Sequence, residues 1–417
     1  MTIPTESSTG FISSAKVGAI LVFQGFFSIY LISFLITGSN YNSTYNYFNF
    51  LADAFLHGKL YLEQPLHTLD LIQYKELWYV PFPPLPALLM LPFVALLGPQ
   101  QINAAIFSLT LGSINVTLVY LMLEALVIRG WSNLRPRDNL MLTGLFGVGS
   151  VHWYLAVVGD VWFISQICTL TFVLLATLLC LKSASPWIVG ACLAIAVLAR
   201  PNIALTLPLL IGIEVLHLQQ KSGDGKIIRK QLFKWSFAVI IPMLLAVACL
   251  LLYNFLRFEN PTDFGYLQQN ISKKLYDNLH TYGQFNLNFI PANFEALFLL
   301  LPQLNLSIPN IVPDTHGMSI FLTMPILFYI FKLRHFSPLK IGALVSLGAL
   351  LVPLLTYYNT GWTQFGYRFT LDFIVPLLVL LAVALGKRLP RRGIALIIWG
   401  VLVNGWGTFW FLTNYFV

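Results

Sequence analysis

Six side chains stand where their type and spacing could do acid–base or phosphate chemistry: Asp53, His57, Asp160, Arg200, Arg368 and Asp372. Asp53 and His57 are one helical turn apart in STYNYFNFLADAFLHGKLYL. There Asn46, Asn49, Asp53 and His57 recur at helical spacing, while Tyr45, Phe48 and Phe55 form an apolar stripe that stops at Gly58. A carboxylate on such a face could take a proton from an attacking hydroxyl, with the histidine as its partner. The same pattern also describes the solvated face of an interfacial helix.

Asp160 lies in the short turn AVVGDVWF between two apolar runs, where an ionised carboxylate needs a partner or a water-filled cavity. It could serve as a base, or it could cap the helix that follows. Arg200, in LAIAVLARPNIALTLPLL, ends one apolar helix immediately before Pro201 starts the next. A fixed cation at a helix rim suits a phosphate, and it also suits snorkelling to lipid head groups. Arg368 and Asp372 are four apart in TGWTQFGYRFTLDF, which fits an internal ion pair or a phosphate or sugar site containing Arg368. Asp70, Glu63 and Glu76 read as ordinary loop charges.

The elements that must position these residues are membrane spans. The 417 residues are 57% hydrophobic and only 10% charged, with a mean hydropathy of +0.76, which a soluble core cannot accommodate. Apolar runs of crossing length predict an all-α, polytopic transmembrane bundle of about eleven spans: 15–37, 104–128, 139–158, 161–181, 186–199, 202–217, 235–256, 317–332, 339–358, 369–386 and 393–413. The run 82–98 is short and interrupted by Pro83, Pro84, Pro86 and Pro92, so it reads as interfacial or re-entrant.

With 82–98 excluded and the N-terminus inside, most of the 24 Lys and Arg fall on one side, in clusters around Arg129, Lys182, Lys226, Lys332 and Arg391. This is the positive-inside pattern, and it accounts for the net charge of +8 without nucleic acid as a partner. Within the single integral membrane domain 1–417, it leaves two large outer segments, 38–103 with amphipathic and re-entrant helices, and 257–316. The chain opens without a basic n-region, so its first apolar run reads as a span and not as a cleaved signal.

The second outer segment is rich in Tyr, Phe, Asn and Gln, side chains that stack on sugar faces and hydrogen-bond hydroxyls, and that also line interfacial loops. The four cysteines sit inside apolar runs as small hydrophobes. No Walker A loop, Rossmann glycine pattern or HExxH helix occurs, and His280 and His316 lack zinc-ligand spacing, so no metal site is read from the sequence.

The order NYFNFLADAFLHG, VPFPPLPALLMLPFVALLG, GDVWF and LARPN over residues 15–217 resembles the GT-C class of polyprenyl-phosphate-sugar glycosyltransferases. It is most similar to the family-39-like group of protein O-mannosyltransferases and aminoarabinose transferases. The segments RFENPTDFGY, HGMSIFLTMPILF and GWTQFGYRFTLDF look similar to bacterial membrane proteins of the same group. In that family an acidic pair opening the first-loop helix supplies the catalytic carboxylate. Counting back from Gly58 puts it at Asn42 and Ser43, so the pair is absent here.

The resemblance implies a cell-envelope protein of the bacterial inner membrane, with a cytoplasmic N-terminus and a polyprenyl-phosphate-linked sugar as donor. It also implies sugar transfer to an acceptor hydroxyl on the non-cytoplasmic face, with a divalent metal in some members and none in others. Arg200 and Arg368 would then hold the lipid phosphate and Asp53 or Asp160 would act as base, with His57 and Asp372 beside them. A transporter or flippase of lipid-linked sugars, or a catalytically silent relative, is the alternative expectation. A transporter would be expected to carry internal repeats and ionisable residues near the midplane, and the sequence has neither.

Overall fold

The computed structural model describes residues 6–36, 44–305 and 310–414. Asn42 and Ser43, where the family's acidic pair was expected, lie outside the described residues. The chain is an all-α helical bundle, with two small two-stranded hairpins in its loops. Among the described residues, seven helices are long and apolar enough to cross a membrane: Lys16–Ile36, Ala104–Ile128, Val161–Leu181, Pro201–Lys221, Gly225–Phe258, Pro338–Leu355 and Arg391–Asn414. Leu85–Leu97, Pro186–Val197 and Thr370–Ala384 are apolar but shorter.

Two of the expected spans are not continuous helices. The run 139–158 divides into Pro136–Val148 and His152–Val157, because Gly147, Gly149 and Ser150 are poor helix formers in succession. Ser150 Oγ donates to the Phe146 carbonyl at 2.6 Å and accepts from the His152 amide at 3.2 Å, so the break leaves these backbone groups satisfied. The run 317–332 divides at Met324–Pro325 into one turn, Ile320–Thr323, and the 3₁₀ segment Pro325–Lys332.

Two helices form the centre. Val161–Leu181 is almost wholly buried, and Thr370–Ala384 is buried from Thr370 to Ala382. Both begin at the end of the bundle where the two long connections lie, so their unpaired amide groups and positive dipole ends face the same region. Gly159 lets the chain enter the first of these helices. A Cβ there would collide with the Ala105 amide nitrogen, so the approach of Val158–Asp160 to the start of Ala104–Ile128 needs a glycine.

The long connections are joined to each other. Helix Tyr47–Leu56 buries Tyr47, Phe48, Leu51 and Ala52 against Leu85–Leu97. The hairpin Ile72–Tyr74 and Leu77–Tyr79 turns through Lys75 and Glu76, both with positive φ as a type I′ turn requires. Its first strand docks on the second connection. The Asp70 amide donates to the Asn270 carbonyl at 2.7 Å, and the Asn270 amide donates to the Leu71 carbonyl at 2.8 Å. Arg257, stacked on Tyr253 and Phe258, donates to the Val80 carbonyl at 2.8 Å and anchors the far side of the hairpin.

Candidate functional site

A cavity of about 230 Å³ opens where the two central helices begin. Several stretches of chain build it, five of them bearing the polar groups considered below. Asp70 comes from the first connection, and Trp162 and Ser165 from the start of Val161–Leu181. The Arg200–Asn202 turn forms a third side, Tyr266 and Gln269 a fourth, and Tyr357, Tyr358, Arg368 and Phe369 the last.

Arg200 is fixed by the residue after it. Pro201 disfavours helical backbone at position 200, and Arg200 takes φ −146°, ψ 104° before the 3₁₀ turn Pro201–Thr206. Its guanidinium donates to Asp372 Oδ2 from Nη2 at 2.7 Å and from Nε at 3.2 Å, and Asn202 Nδ2 donates to the same oxygen at 2.9 Å. Asp372 sits in the first turn of its helix with a side chain only 1% exposed, where these three donors converge on it. The ion pair of Asp372 is thus made across the bundle to Arg200, and not within its own helix as its spacing from Arg368 suggested.

Arg368 is placed by its backbone. Its amide donates to Gln364 Oε1 at 2.9 Å, and its carbonyl accepts from Gln166 Nε2 at 3.1 Å. Its guanidinium lies 4.9 Å from the centre of the Phe369 ring and 5.7 Å from that of Phe163. The Arg200 guanidinium lies 5.5 Å from the Phe369 ring centre as well, so one aromatic ring contacts both cations. Gly361, at φ 103°, makes room for this arrangement: a Cβ there would come within 2.8 Å of Arg368 Nε.

The cavity's carboxylate is Asp70, which sequence reasoning set aside as a loop charge. It has φ 63°, a left-handed conformation that Asp tolerates better than most residues, at the third position of the Thr68–Leu71 turn. Its side chain is in contact with the cavity yet surrounded by protein. Burial pushes its carboxyl up to about 6, against the pull of the Trp162 hydrogen bond and the Arg368 charge. Trp162 Nε1 donates to Oδ2 at 2.8 Å, and among the described residues Oδ1 receives no donor. Gln269 Nε2 donates to the Asp70 carbonyl at 3.0 Å, and Gln269 Oε1 accepts from the Tyr358 hydroxyl at 3.2 Å. Burial raises the Tyr266 hydroxyl above its ordinary value, so it stays a proton donor facing the cavity.

The remaining expected residues fall elsewhere. Asp160 is fully buried at the N-cap of Val161–Leu181, and its side chain makes no capping bond to that helix. It does not line the cavity, and its charge, like that of Asp70, raises the Tyr47 hydroxyl further after burial has done so. Asp53 and His57 line a separate, open cavity. There the His57 ring is 3.8 Å from the Asp53 carboxylate, with its Nδ1 donating to the Asp53 carbonyl at 2.9 Å.

Trp162, Gln269 and the tyrosines were also missed. A usable signal for Asp70 was its place directly before Leu71 and an alternating strand, since a carboxylate next to a fully buried leucine is held at the edge of a core.

The cavity holds one carboxylate and two guanidiniums, a set that suits an anion. A divalent cation asks for several oxygen ligands, and among the described residues no three His, Cys, Asp or Glu side chains come together to hold one. Compared with protein-family models, curated proteins and solved structures, the chain matches none.

Proposed function

We propose that the chain is a membrane glycosyltransferase that moves a sugar from a polyprenyl-phosphate donor to an acceptor hydroxyl, with the cavity of Asp70, Arg200 and Arg368 as its active site. The observation that carries this reading is the pairing, in one small cavity, of a carboxylate of raised pKa with two guanidiniums on a shared aromatic ring. Arg200 and Arg368 bind the donor phosphate, reinforced by the two helix N-termini that face it. Trp162 and the tyrosines offer aromatic faces and hydroxyls to the sugar.

In the transfer step, Asp70 Oδ1 takes the proton of the acceptor hydroxyl as its oxygen bonds to the anomeric carbon. The bond from that carbon to the phosphate oxygen breaks on the opposite side, inverting the centre, and the polyprenyl phosphate leaves with its new charge held by the arginines. A carboxyl near 6 is ionised at neutral pH and still basic enough to accept that proton. This role replaces the one expected of Asp53 or Asp160.

On this reading the architecture is GT-C-like and the chain crosses a bacterial inner membrane eleven times from a cytoplasmic N-terminus. Pro186–Val197, Thr370–Ala384 and the two broken runs then complete the seven long helices. The cavity opens on the non-cytoplasmic face, where the lipid carrier presents its sugar and no nucleotide site is needed.

The test is turnover of a radiolabelled polyprenyl-phosphate sugar by purified protein, with Arg200→Ala and Arg368→Ala assayed separately. Each is expected to lose about 10²–10³ in rate, the scale of removing one group that stabilises developing charge. Unchanged turnover in both variants would remove the phosphate role, and binding of the lipid-linked sugar with no turnover by the unaltered chain would point to transport.

A further inference from the structure

A second, open cavity of about 830 Å³ lies in the loop layer, lined among others by Tyr47, Phe50, Asp53, Tyr61, His67 and Gln101. Its charge differs from that of the arginine cavity. The ammonium that lines it, Lys59, is held by Glu63 at 2.6 Å, which leaves the Asp53 carboxylate in excess. Such a surface repels phosphates, nucleic acid and acidic head groups. Aromatic rings interleaved with amide, imidazole and carboxylate groups suit a neutral, hydroxyl-rich ligand.

The wall between the two cavities is thin. His67 on the open side and Asp70 on the arginine side are three residues apart, a span of at most about 11 Å of extended chain. The Tyr45 ring bridges them, 6.3 Å from the His67 ring centre and 5.1 Å from that of Trp162, whose indole holds Asp70. Tyr47, which lines the open cavity, donates its hydroxyl to the carbonyl of Leu69, the residue before Asp70.

We propose that the open cavity binds the acceptor, that the acceptor is a neutral oligosaccharide, and that its terminal hydroxyl reaches Asp70 past His67. The inference rests on the glycosyl-transfer reading and adds to it where the acceptor sits and what chemical class it belongs to. The bonds made and broken are those already given. Asp53 and His57 then serve as hydrogen-bonding groups for acceptor hydroxyls, not as the base.

The experiment is calorimetric titration of the full chain in nanodiscs with cellotetraose, maltotetraose and mannotetraose, and with tetragalacturonate as an acidic counterpart. At least one neutral tetrasaccharide is expected to bind and the acidic one is not. Asp53→Ala and Gln101→Ala, both at accessible positions, should each weaken that binding about tenfold, the worth of one or two lost hydrogen bonds. With the bound tetrasaccharide as acceptor in the transfer assay, the same variants should raise the acceptor KM and leave the donor KM in place. Failure of all three neutral sugars to bind, preference for the acidic one, or binding indifferent to both substitutions overturns the inference. Oligosaccharide binding that follows this pattern in a chain without turnover upholds the pocket and overturns the transferase reading instead.

Discussion

Trp162 donates its indole N–H to Oδ2 of Asp70 at 2.8 Å, across 92 residues of sequence. The bond favours the ionised carboxylate, against burial, which favours the acid. Trp162→Phe keeps the aromatic face and removes the donor. If Asp70 is the base proposed above, the acid limb of the pH–rate profile should lie near pH 6 and should then move to higher pH by about one unit, since a hydrogen bond to a charged group is worth about 1.5–3 kcal/mol. An unshifted limb would separate Trp162 from the titration.

On the proposed reading, Asp70→Asn removes the proton acceptor and keeps the shape. Turnover should fall by about 10²–10⁴, the usual contribution of a positioned base, with donor binding retained. Full turnover by the variant would move the base elsewhere.

The same substitution has a stability signature. Asp70 titrates near 6 in the folded chain against an ordinary value of 3.8, so folding favours its protonated form. That contribution is fully present below about pH 4 and is lost as pH rises through 6. Thermal unfolding between pH 4 and 7 should therefore lose less stability with rising pH in Asp70→Asn than in the unaltered chain; parallel curves would contradict the assignment.

Asp372→Ala leaves the Arg200 guanidinium, only 17% exposed, without its counter-charge. Breaking a buried pair from one side costs about 3–5 kcal/mol, so a large drop in thermal stability is expected. Changing both partners together, as Arg200→Met with Asp372→Leu, should recover much of it, and a double variant as unstable as the single one would argue against the pair as the cause.

Gly361→Ala places a methyl group 2.8 Å from Arg368 Nε and from Gln364 Oε1, at a backbone φ of 103° that side chains disfavour. Arg368 must shift, so donor KM should rise several-fold with the helical signal in circular dichroism unchanged. An unaltered KM would mean that Arg368 is not held by this contact.

Much of this was legible in local pattern. Uninterrupted apolar runs such as 104–128, 161–181 and 235–256 read directly as helices, because length and hydropathy are local properties, while the basic first turns that extend the last of them to Gly225–Phe258 did not. The breaks at Gly149 and Met324 were not, since runs of the same composition stay helical when nothing nearby satisfies the freed backbone groups. Arg200, Arg368 and Asp372 stood out as charges at helix ends, and the cavity does gather the two arginines, with Asp372 bound to one of them. Asp70 did not, because its position depends on strand pairing with residues 269 and 270. Asp53 was readable as part of a helix, but which cavity that helix faces is decided by how the helix docks on Leu85–Leu97.

The pairing of Asp70 and Leu71 with Gln269 and Asn270 closes a loop of 199 residues, at a chain-entropy cost of about 5 kcal/mol. During synthesis, helices up to Gly225–Phe258 can insert and pack before that loop can close. The carboxylate therefore takes its place only after the chain has passed residue 270, and Arg368 joins it a hundred residues later. An incomplete nascent chain therefore holds packed helices without the assembled cavity, which exists only once Asp70, Arg200 and Arg368 have all been synthesised and brought together.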